Sequence, residues 1–158
     1  MLHIVLLEPE IPQNAGNIAR TCAATGVYLH LVEPLGFRLE DRYLKRAGLD
    51  YWPLVKMITH KSMKDLYDAY PEGEFYYLTK KADKLYTEAS FPEEVFFVFG
   101  KESVGLPDAL LSANKHKCLR IPMKQGVRSL NLSNSAAVIV YEYIRRCGVF
   151  PDSGNSIS

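Results

Sequence analysis

The chain has 158 residues, a length that fits one domain, and 47% of the residues are hydrophobic while 23% are charged. This balance excludes an intrinsically disordered chain and is typical of a globular protein. The 19 lysines and arginines nearly balance the 18 aspartates and glutamates, so the net charge of +1 argues neither for nor against a nucleic-acid partner. A basic patch would have to be formed by the fold.

The first part of the chain alternates between strand and helix patterns. Residues 2–7 form a continuous apolar run that is typical of a strand buried on both faces. Apolar residues at helical spacing predict a helix over 14–25, and Gly26 is its expected C-terminal stop. A second strand is predicted over 28–32, and a second helix over 40–47.

The middle of the chain continues the alternation. Residues 54–59 are compatible with a strand, and Ser62 is the expected N-cap of a helix over 63–70. Aromatic and β-branched residues predict two further strands, over 75–79 and 95–99.

The last part of the chain predicts a helix over 107–113, a strand over 118–121 and a helix over 131–147. An apolar VIVY core in the last segment favours a strand, but its polar start, basic end and length favour a helix, which we predict. The alternation predicts an α/β fold with a mostly parallel sheet and helices on both faces. We expect a single domain over residues 1–150 and a flexible tail over 151–158.

Scattered cysteines and histidines indicate neither a disulfide framework nor a metal site, because no CxxC, HExxH or HxH spacing occurs. We expect the cysteines to be buried and the histidines to be isolated structural or surface residues. The cysteines are Cys22, Cys118 and Cys147, and the histidines are His3, His30, His60 and His116. No apolar run reaches the roughly 18 residues of a membrane span, and the N-terminus lacks a basic signal segment, so we expect a cytoplasmic protein without membrane contact.

Polar residues are concentrated where predicted strands end, and ligands of parallel sheets bind at that edge. The four rich junctions are residues 14–20, 80–81, 100–105 and 122–131. Known nucleotide motifs are missing: there is no GxGxxG, Val95 stands where a P-loop needs its first glycine, and Glu102 follows Lys101 where a hydroxyl residue is required. A dinucleotide oxidoreductase or a P-loop NTPase is therefore disfavoured.

Three sequence blocks carry a resemblance: NAGNIAR over 14–20, FGKESVG over 99–105, and IPM over 121–123 with SLNLSN over 129–134. In this order and separation they resemble the SPOUT-class RNA 2′-O-methyltransferases. More narrowly, the chain resembles the bacterial members that act on cytidine or uridine at the wobble position of the tRNA anticodon. The resemblance covers essentially residues 1–148.

The resemblance implies an S-adenosylmethionine (AdoMet) cofactor, S-adenosylhomocysteine as product, a C-terminal trefoil knot and a homodimer acting on the tRNA anticodon stem-loop. The implied cofactor-binding residues are Leu78, Thr79, Gly100, Ile121, Ser129 and Leu130. The implied catalytic residues are Arg20, Asn14, Glu102 and Asn131. Because a guanidinium is too basic to serve as a free base, we expect Arg20 to bind a phosphate and stabilise alkoxide character, with Glu102, Ser129 and Asn131 orienting Arg20 and the ribose.

Several readings stay open from the sequence. Asn14, Ser133 and Asn134 are as compatible with helix capping as with a role in the site. Tyr141 is compatible with a dimer interface, with RNA stacking or with core packing. Candidate RNA-binding cations are Arg38, Arg42, Lys45, Arg46, Lys124, Arg128, Arg145 and Arg146. Alternative functions are a non-catalytic knotted RNA-binding or assembly protein and a ribosomal RNA 2′-O-methyltransferase, which the short chain disfavours.

Overall fold

The computed structural model describes residues 1–40, 42, 46 and 52–148. The helix predicted over 40–47 lies mostly outside the described residues, and the tail predicted over 151–158 lies wholly outside them.

A parallel sheet forms the centre of the described part of the molecule. Its strands are β1 (Leu2–Leu7), β2 (Tyr28–Val32), β3 (Met57–His60), β4 (Glu74–Leu78), β5 (Lys84–Leu85), β6 (Val95–Phe99) and β7 (Cys118–Arg120). They lie in the order β3-β2-β1-β6-β4-β7-β5, and every neighbouring pair is parallel. The bounds predicted for β1, β2 and β6 are confirmed. β3 is shorter than predicted because residues 52–54 form a 3-10 turn, and the two-residue β5 was not predicted.

Helices cover both faces of this sheet, as predicted. They are α1 (Pro12–Thr25), α2 (Met63–Ala69), α3 (Asp108–Ala113) and α4 (Leu132–Cys147). The α1 and α4 helices pack against one face, and α2 and α3 pack against the other.

Side-chain alternation along β1 explains the two layers. Leu2, Ile4 and Leu6 point into the core under α1 and α4, whereas Val5 and Leu7 point into the core under α2 and α3. All six β1 residues are buried, because the strand lies near the middle of the sheet and both of its faces are covered. The apolar run is therefore a consequence of two-sided burial.

Terminal residues set the lengths of the helices. Pro12 stands in the first turn of α1, two residues before the predicted start, where its missing N–H costs nothing. Gly26 ends α1 in the left-handed conformation (φ 71°), as predicted. Ser62 caps α2 by accepting a hydrogen bond from the Asp65 amide, also as predicted.

The histidines are structural or surface residues, as predicted, but three of the four are not isolated from one another. His3 Nδ1 lies 2.9 Å from His30 Nε2, and His30 Nδ1 lies 2.9 Å from His60 Nε2, so a chain of imidazoles crosses β1, β2 and β3. Burial lowers the pKa of His3 to about 4 and that of His30 to about 3. Both rings pack against Phe96 and Tyr70, and we conclude that they are neutral at physiological pH.

The prediction for the cysteines is correct for two of the three. Cys22 and Cys118 are buried, as expected for small apolar core residues. Cys147, the last residue of α4, is exposed, so the prediction is wrong for this cysteine.

Candidate active site

A cleft of about 690 Å³ opens at the carboxyl ends of β4, β6 and β7. Its walls contain all six residues predicted to bind a cofactor: Leu78, Thr79, Gly100, Ile121, Ser129 and Leu130. They also contain three of the four predicted catalytic residues, Asn14, Glu102 and Asn131. The parallel sheet brings these residues together because each follows a strand whose end lies at the same edge.

Gly100 begins the loop that forms one wall of the cleft. A Cβ atom at this position would lie 2.3 Å from both the Gly105 carbonyl carbon and the Leu106 amide nitrogen. The loop closes where the Gly105 amide donates a hydrogen bond of 2.9 Å to the Lys101 carbonyl. Gly100 is thus required by the close approach of the loop to its own backbone.

The Glu102 side chain accepts three hydrogen bonds from the described residues. Its carboxylate accepts from the backbone amides of Glu10 at 2.9 Å and Ile11 at 3.1 Å, and from Asn14 Nδ2 at 3.3 Å. These donors belong to the segment that leads from β1 into α1. Glu102 therefore joins two cleft walls, and its contacts indicate a positioning role in this structure.

The Glu102 carboxylate also determines how two amide side chains are oriented. A carboxylate only accepts, so Asn14 presents Nδ2 to Glu102 and Oδ1 to its other neighbour. That Oδ1 accepts from Asn131 Nδ2 at 3.1 Å. The side-chain oxygen of Asn131 then faces the first turn of α4.

Asn131 is the N-cap of α4. Its Oδ1 accepts hydrogen bonds from the amides of Ser133 at 2.9 Å and Asn134 at 3.3 Å. The structure therefore assigns the cap to Asn131, and Ser133 and Asn134 provide the donors. Because Asn14 is only 6% exposed and α1 has no side-chain cap, its amide belongs to the network with Glu102 and Asn131 and does not cap a helix.

Arg20 does not line the cleft. It is exposed on α1, as is Asn17. Arg20 is six positions after Asn14, which corresponds to about 9 Å along the helix axis and a different side of the helix. The cleft of a single chain thus contains three of the four predicted catalytic residues.

Two acidic residues near the cleft were not singled out from the sequence. Glu8 forms an ion pair with Lys101, and Glu10 accepts hydrogen bonds from Ser103. The signal that could have indicated them is the alternation Glu8-Pro9-Glu10, placed directly between β1 and α1.

The predicted RNA-binding cations have different environments. Arg145 and Arg146 both pair with Glu142, and Arg146 also donates to the carbonyls of Thr87 and Ala89. Arg128 lines the cleft, and Lys80 donates to its carbonyl. Arg38, Arg42, Arg46 and Lys124 are exposed, and Lys45 lies outside the described residues. Tyr141 is 55% exposed, which excludes core packing within one chain.

Residues 1–40, 42, 46 and 52–148 contain neither a membrane-spanning helix nor a cluster of metal-binding side chains. No helix there is both long and apolar enough to cross a bilayer. No group of three or more His, Cys, Asp or Glu side chains is arranged to hold a metal ion in that part of the chain.

Many α/β proteins bind their ligands in a cleft at the carboxyl edge of a parallel sheet, and comparison with known families gives the class of this one. Residues 1–141 match the SpoU rRNA Methylase family, and the chain belongs to that family. More particularly, the chain is 46% identical over 149 residues to the tRNA (cytidine(34)-2′-O)-methyltransferase of Saccharophagus degradans (strain 2-40 / ATCC 43961 / DSM 17024), covering 94% of this chain and 97% of that protein.

Two further comparisons find similarity to the same kind of protein. A Bacillus subtilis (strain 168) protein with the provisional name tRNA (cytidine(34)-2′-O)-methyltransferase is 53% identical over 148 residues, covering 92% of each chain. A solved structure described as giving structural insights into the 2-OH methylation of C/U34 on tRNA superposes with a TM-score of 0.88. It is 46% identical and covers 93% of this chain and 96% of that chain.

Proposed function

We propose that this protein transfers a methyl group from AdoMet to the ribose 2′-hydroxyl of the wobble cytidine or uridine in a tRNA anticodon loop. The observation that carries the proposal is the convergence of the three resembling sequence blocks on one cleft. Membership of the SpoU family and the names of relatives that match almost end to end support the substrate class.

The residues of the cleft fit the proposed cofactor. Its volume of about 690 Å³ lies within the range of small-molecule sites. Leu78, Ile121 and Leu130 offer an apolar wall for a purine ring, and the polar groups of Thr79 and Ser129 lie in the same wall. When bound, AdoMet supplies an electrophilic methyl group on a sulfonium and leaves as S-adenosylhomocysteine.

The protein contributes position and charge stabilisation more than covalent chemistry. The network of Glu102, Asn14 and Asn131 holds the start of α1 and the start of α4 at the cleft mouth. Arg20, as a permanent cation, binds the phosphate beside the target ribose and stabilises negative charge that develops on the 2′-oxygen. Arg20 does not act as the free base.

A homodimer is part of the proposal. Arg20 stands outside the cleft of its own chain, and Tyr141 is exposed on α4, which packs beside α1. A second copy against this face would bring its own Arg20 towards a neighbouring cleft. Each active site would then be completed between two subunits.

We also infer a trefoil knot in the C-terminal segment and a cytoplasmic location, where tRNA is found. The knot is supported by the sheet order, in which β7 is inserted between β4 and β5 before α4 returns to pack on α1.

The deciding experiment incubates the full chain with methyl-labelled AdoMet and unmodified tRNA transcripts, followed by nucleoside mass spectrometry. We expect 2′-O-methylcytidine or 2′-O-methyluridine at position 34, and none when that nucleotide carries a 2′-deoxyribose. RNA binding without transfer would indicate the non-catalytic alternative. Labelling of ribosomal RNA fragments in preference to tRNA would indicate the ribosomal alternative.

A further inference from the structure

Glu10, which precedes α1, and Glu102, in the loop after β6, each bind the segment that carries the other. The Glu10 amide donates to the Glu102 carboxylate at 2.9 Å. In return, the Glu10 carboxylate accepts from the Ser103 amide and from Ser103 Oγ, each at 2.9 Å. Each carboxylate thus binds backbone of the opposite segment, although more than 90 residues separate the segments in the chain.

The charges in this contact are compensated. Hydrogen bonds from the Ser103 amide and hydroxyl lower the pKa of Glu10, so its carboxylate is ionised at all pH values above the usual glutamate range. The charge of Lys101 also lowers the pKa of Glu10, and Lys101 forms an ion pair with Glu8. Two neighbouring carboxylates are therefore tolerated because donors from the opposite segment satisfy both of them.

The loop that Glu10 holds has little else to fix it. Ser103, Val104 and Gly105 are exposed, and Val104 is 76% exposed. Within the described residues, the bonds that restrain the loop are the Gly105 to Lys101 backbone bond and the contacts of Glu8, Glu10 and Glu102. An exposed loop without buried apolar contacts opens easily, so these contacts determine its position.

The Glu10 side of the contact is itself rigid. Gly36 donates its amide to the Pro9 carbonyl at 2.9 Å, and a Cβ at Gly36 would lie 2.8 Å from Glu10 Cα. Pro9 is buried. The segment before α1 thus packs against Gly36, and this contact fixes the backbone from which Glu10 reaches Ser103.

We propose that Glu10 is a positioning residue that holds the loop of residues 100–105 in the conformation that walls the cleft, acting through Ser103. This inference rests on the proposed function, because the wall in question is the one assigned to the cofactor. It adds to the site a residue that does not itself line the cleft but contacts Glu102 and Ser103, which do.

The test compares Glu10→Gln and Ser103→Ala with Ser103→Thr, which keeps both the amide and the hydroxyl donors. Glu72→Gln is the matched control, because Glu72 is an exposed glutamate before β4, at the opposite end of the sheet. Amide hydrogen exchange of residues 101–105 is measured without cofactor, AdoMet affinity by calorimetry, and methyl transfer by steady-state kinetics.

We expect Glu10→Gln to accelerate exchange of the Ser103 amide about tenfold and to weaken AdoMet binding by a similar factor, the change expected for one lost charge-assisted hydrogen bond. Ser103→Thr should behave as wild type, and the double variant Glu10→Gln/Ser103→Ala should be no worse than Glu10→Gln. The thermal midpoint should match that of Glu72→Gln.

Unchanged exchange in Glu10→Gln would overturn the proposal even if affinity fell, because Glu10 would then not act through the loop. Unchanged affinity with faster exchange would also overturn it, because the loop conformation would not matter to the site. If wild-type protein bound no AdoMet, the proposed function would fail, while the exchange measurement would still report whether Glu10 restrains the loop.

Discussion

Asn131 Nδ2 donates a hydrogen bond of 3.1 Å to Asn14 Oδ1 and so joins two residues that are 117 positions apart. Because Asn14 uses its other side-chain atom on Glu102, and Asn131 uses its own on the first turn of α4, the bond connects the starts of two helices. The starts of α1 and α4 are therefore joined directly at the wall of the cleft.

Two substitutions of Asn131 distinguish the effect of its helix cap from the effect of its contact with Asn14. Asn131→Ala removes the cap of α4, and we expect the free energy of unfolding to fall by about 1 kcal/mol, with loss of methyl transfer. Asn131→Asp keeps the capping oxygen and adds a favourable charge at the helix N-terminus, so stability should be retained. However, it removes the donor to Asn14, so transfer should still be lost. Urea unfolding and tRNA methylation measure the two effects, and full activity of Asn131→Asp would contradict a role for the Asn14 contact.

Gly100→Ala tests the close approach inside the cleft loop. The added Cβ must displace the backbone of Gly105 and Leu106, so we expect AdoMet affinity to fall at least about tenfold. Gly148→Ala is the control: Gly148 ends α4 at φ 67° with open space around it, and its substitution costs about 1 kcal/mol of stability from backbone strain alone. Calorimetry should show near wild-type affinity for Gly148→Ala. Equal affinities for the two variants would contradict the assignment of this loop to the cofactor.

The sequence predicted the fold well for elements whose residues follow one pattern of burial along their whole length. The runs of β1 and β6 are apolar throughout because both faces are covered, and Gly26 marks the end of α1 through its backbone conformation. The start of α1 was missed by two residues because its N-cap, Ile11, lacks the polar side chain of a usual cap. β5 is too short to carry a pattern.

The sequence also predicted which residues line the candidate site, but it did not predict the hydrogen bonds between them. Sequence blocks placed Glu102 and Asn131 in the cleft, yet the acceptor role of Glu102 depends on the backbone amide of Glu10, 92 residues away. Likewise His3, His30 and His60 lie 27 and 30 residues apart and meet only across strands. Such contacts depend on strand order and register, which local patterns do not contain.

The buried histidines predict a loss of stability in acid. The pKa values of His3 and His30 in the folded chain lie below the unfolded value of 6.5. Below about pH 6.5 these two histidines therefore bind protons in the unfolded chain but not in the folded chain. Stability should be full above pH 6.5 and should fall as the pH decreases towards 4 and then 3. His30→Gln keeps a donor and an acceptor but does not titrate, so it should reduce the loss between pH 7 and pH 5 by about 1–2 kcal/mol. Urea unfolding at both pH values measures this, with His116→Gln as an exposed control. An unchanged loss in His30→Gln would contradict the burial argument.

Arg20→Ala is expected to reduce methyl transfer at least about a hundredfold, because a cation that stabilises developing charge is removed. AdoMet affinity should stay within about twofold, because Arg20 does not line the cleft. Retention of full activity would remove Arg20 from the mechanism.

Mixing variants tests whether two subunits share a site. Neither Arg20→Ala nor Gly100→Ala alone should transfer methyl groups efficiently. If Arg20 serves the cleft of the other subunit, a mixed dimer has one complete site: an intact cleft from the Arg20→Ala subunit and an intact arginine from the Gly100→Ala subunit. With half of the dimers mixed and one of two sites restored, activity should recover to about a quarter of wild type. Absence of recovery, with mixed dimers verified by native mass spectrometry, would show that each Arg20 acts within its own chain.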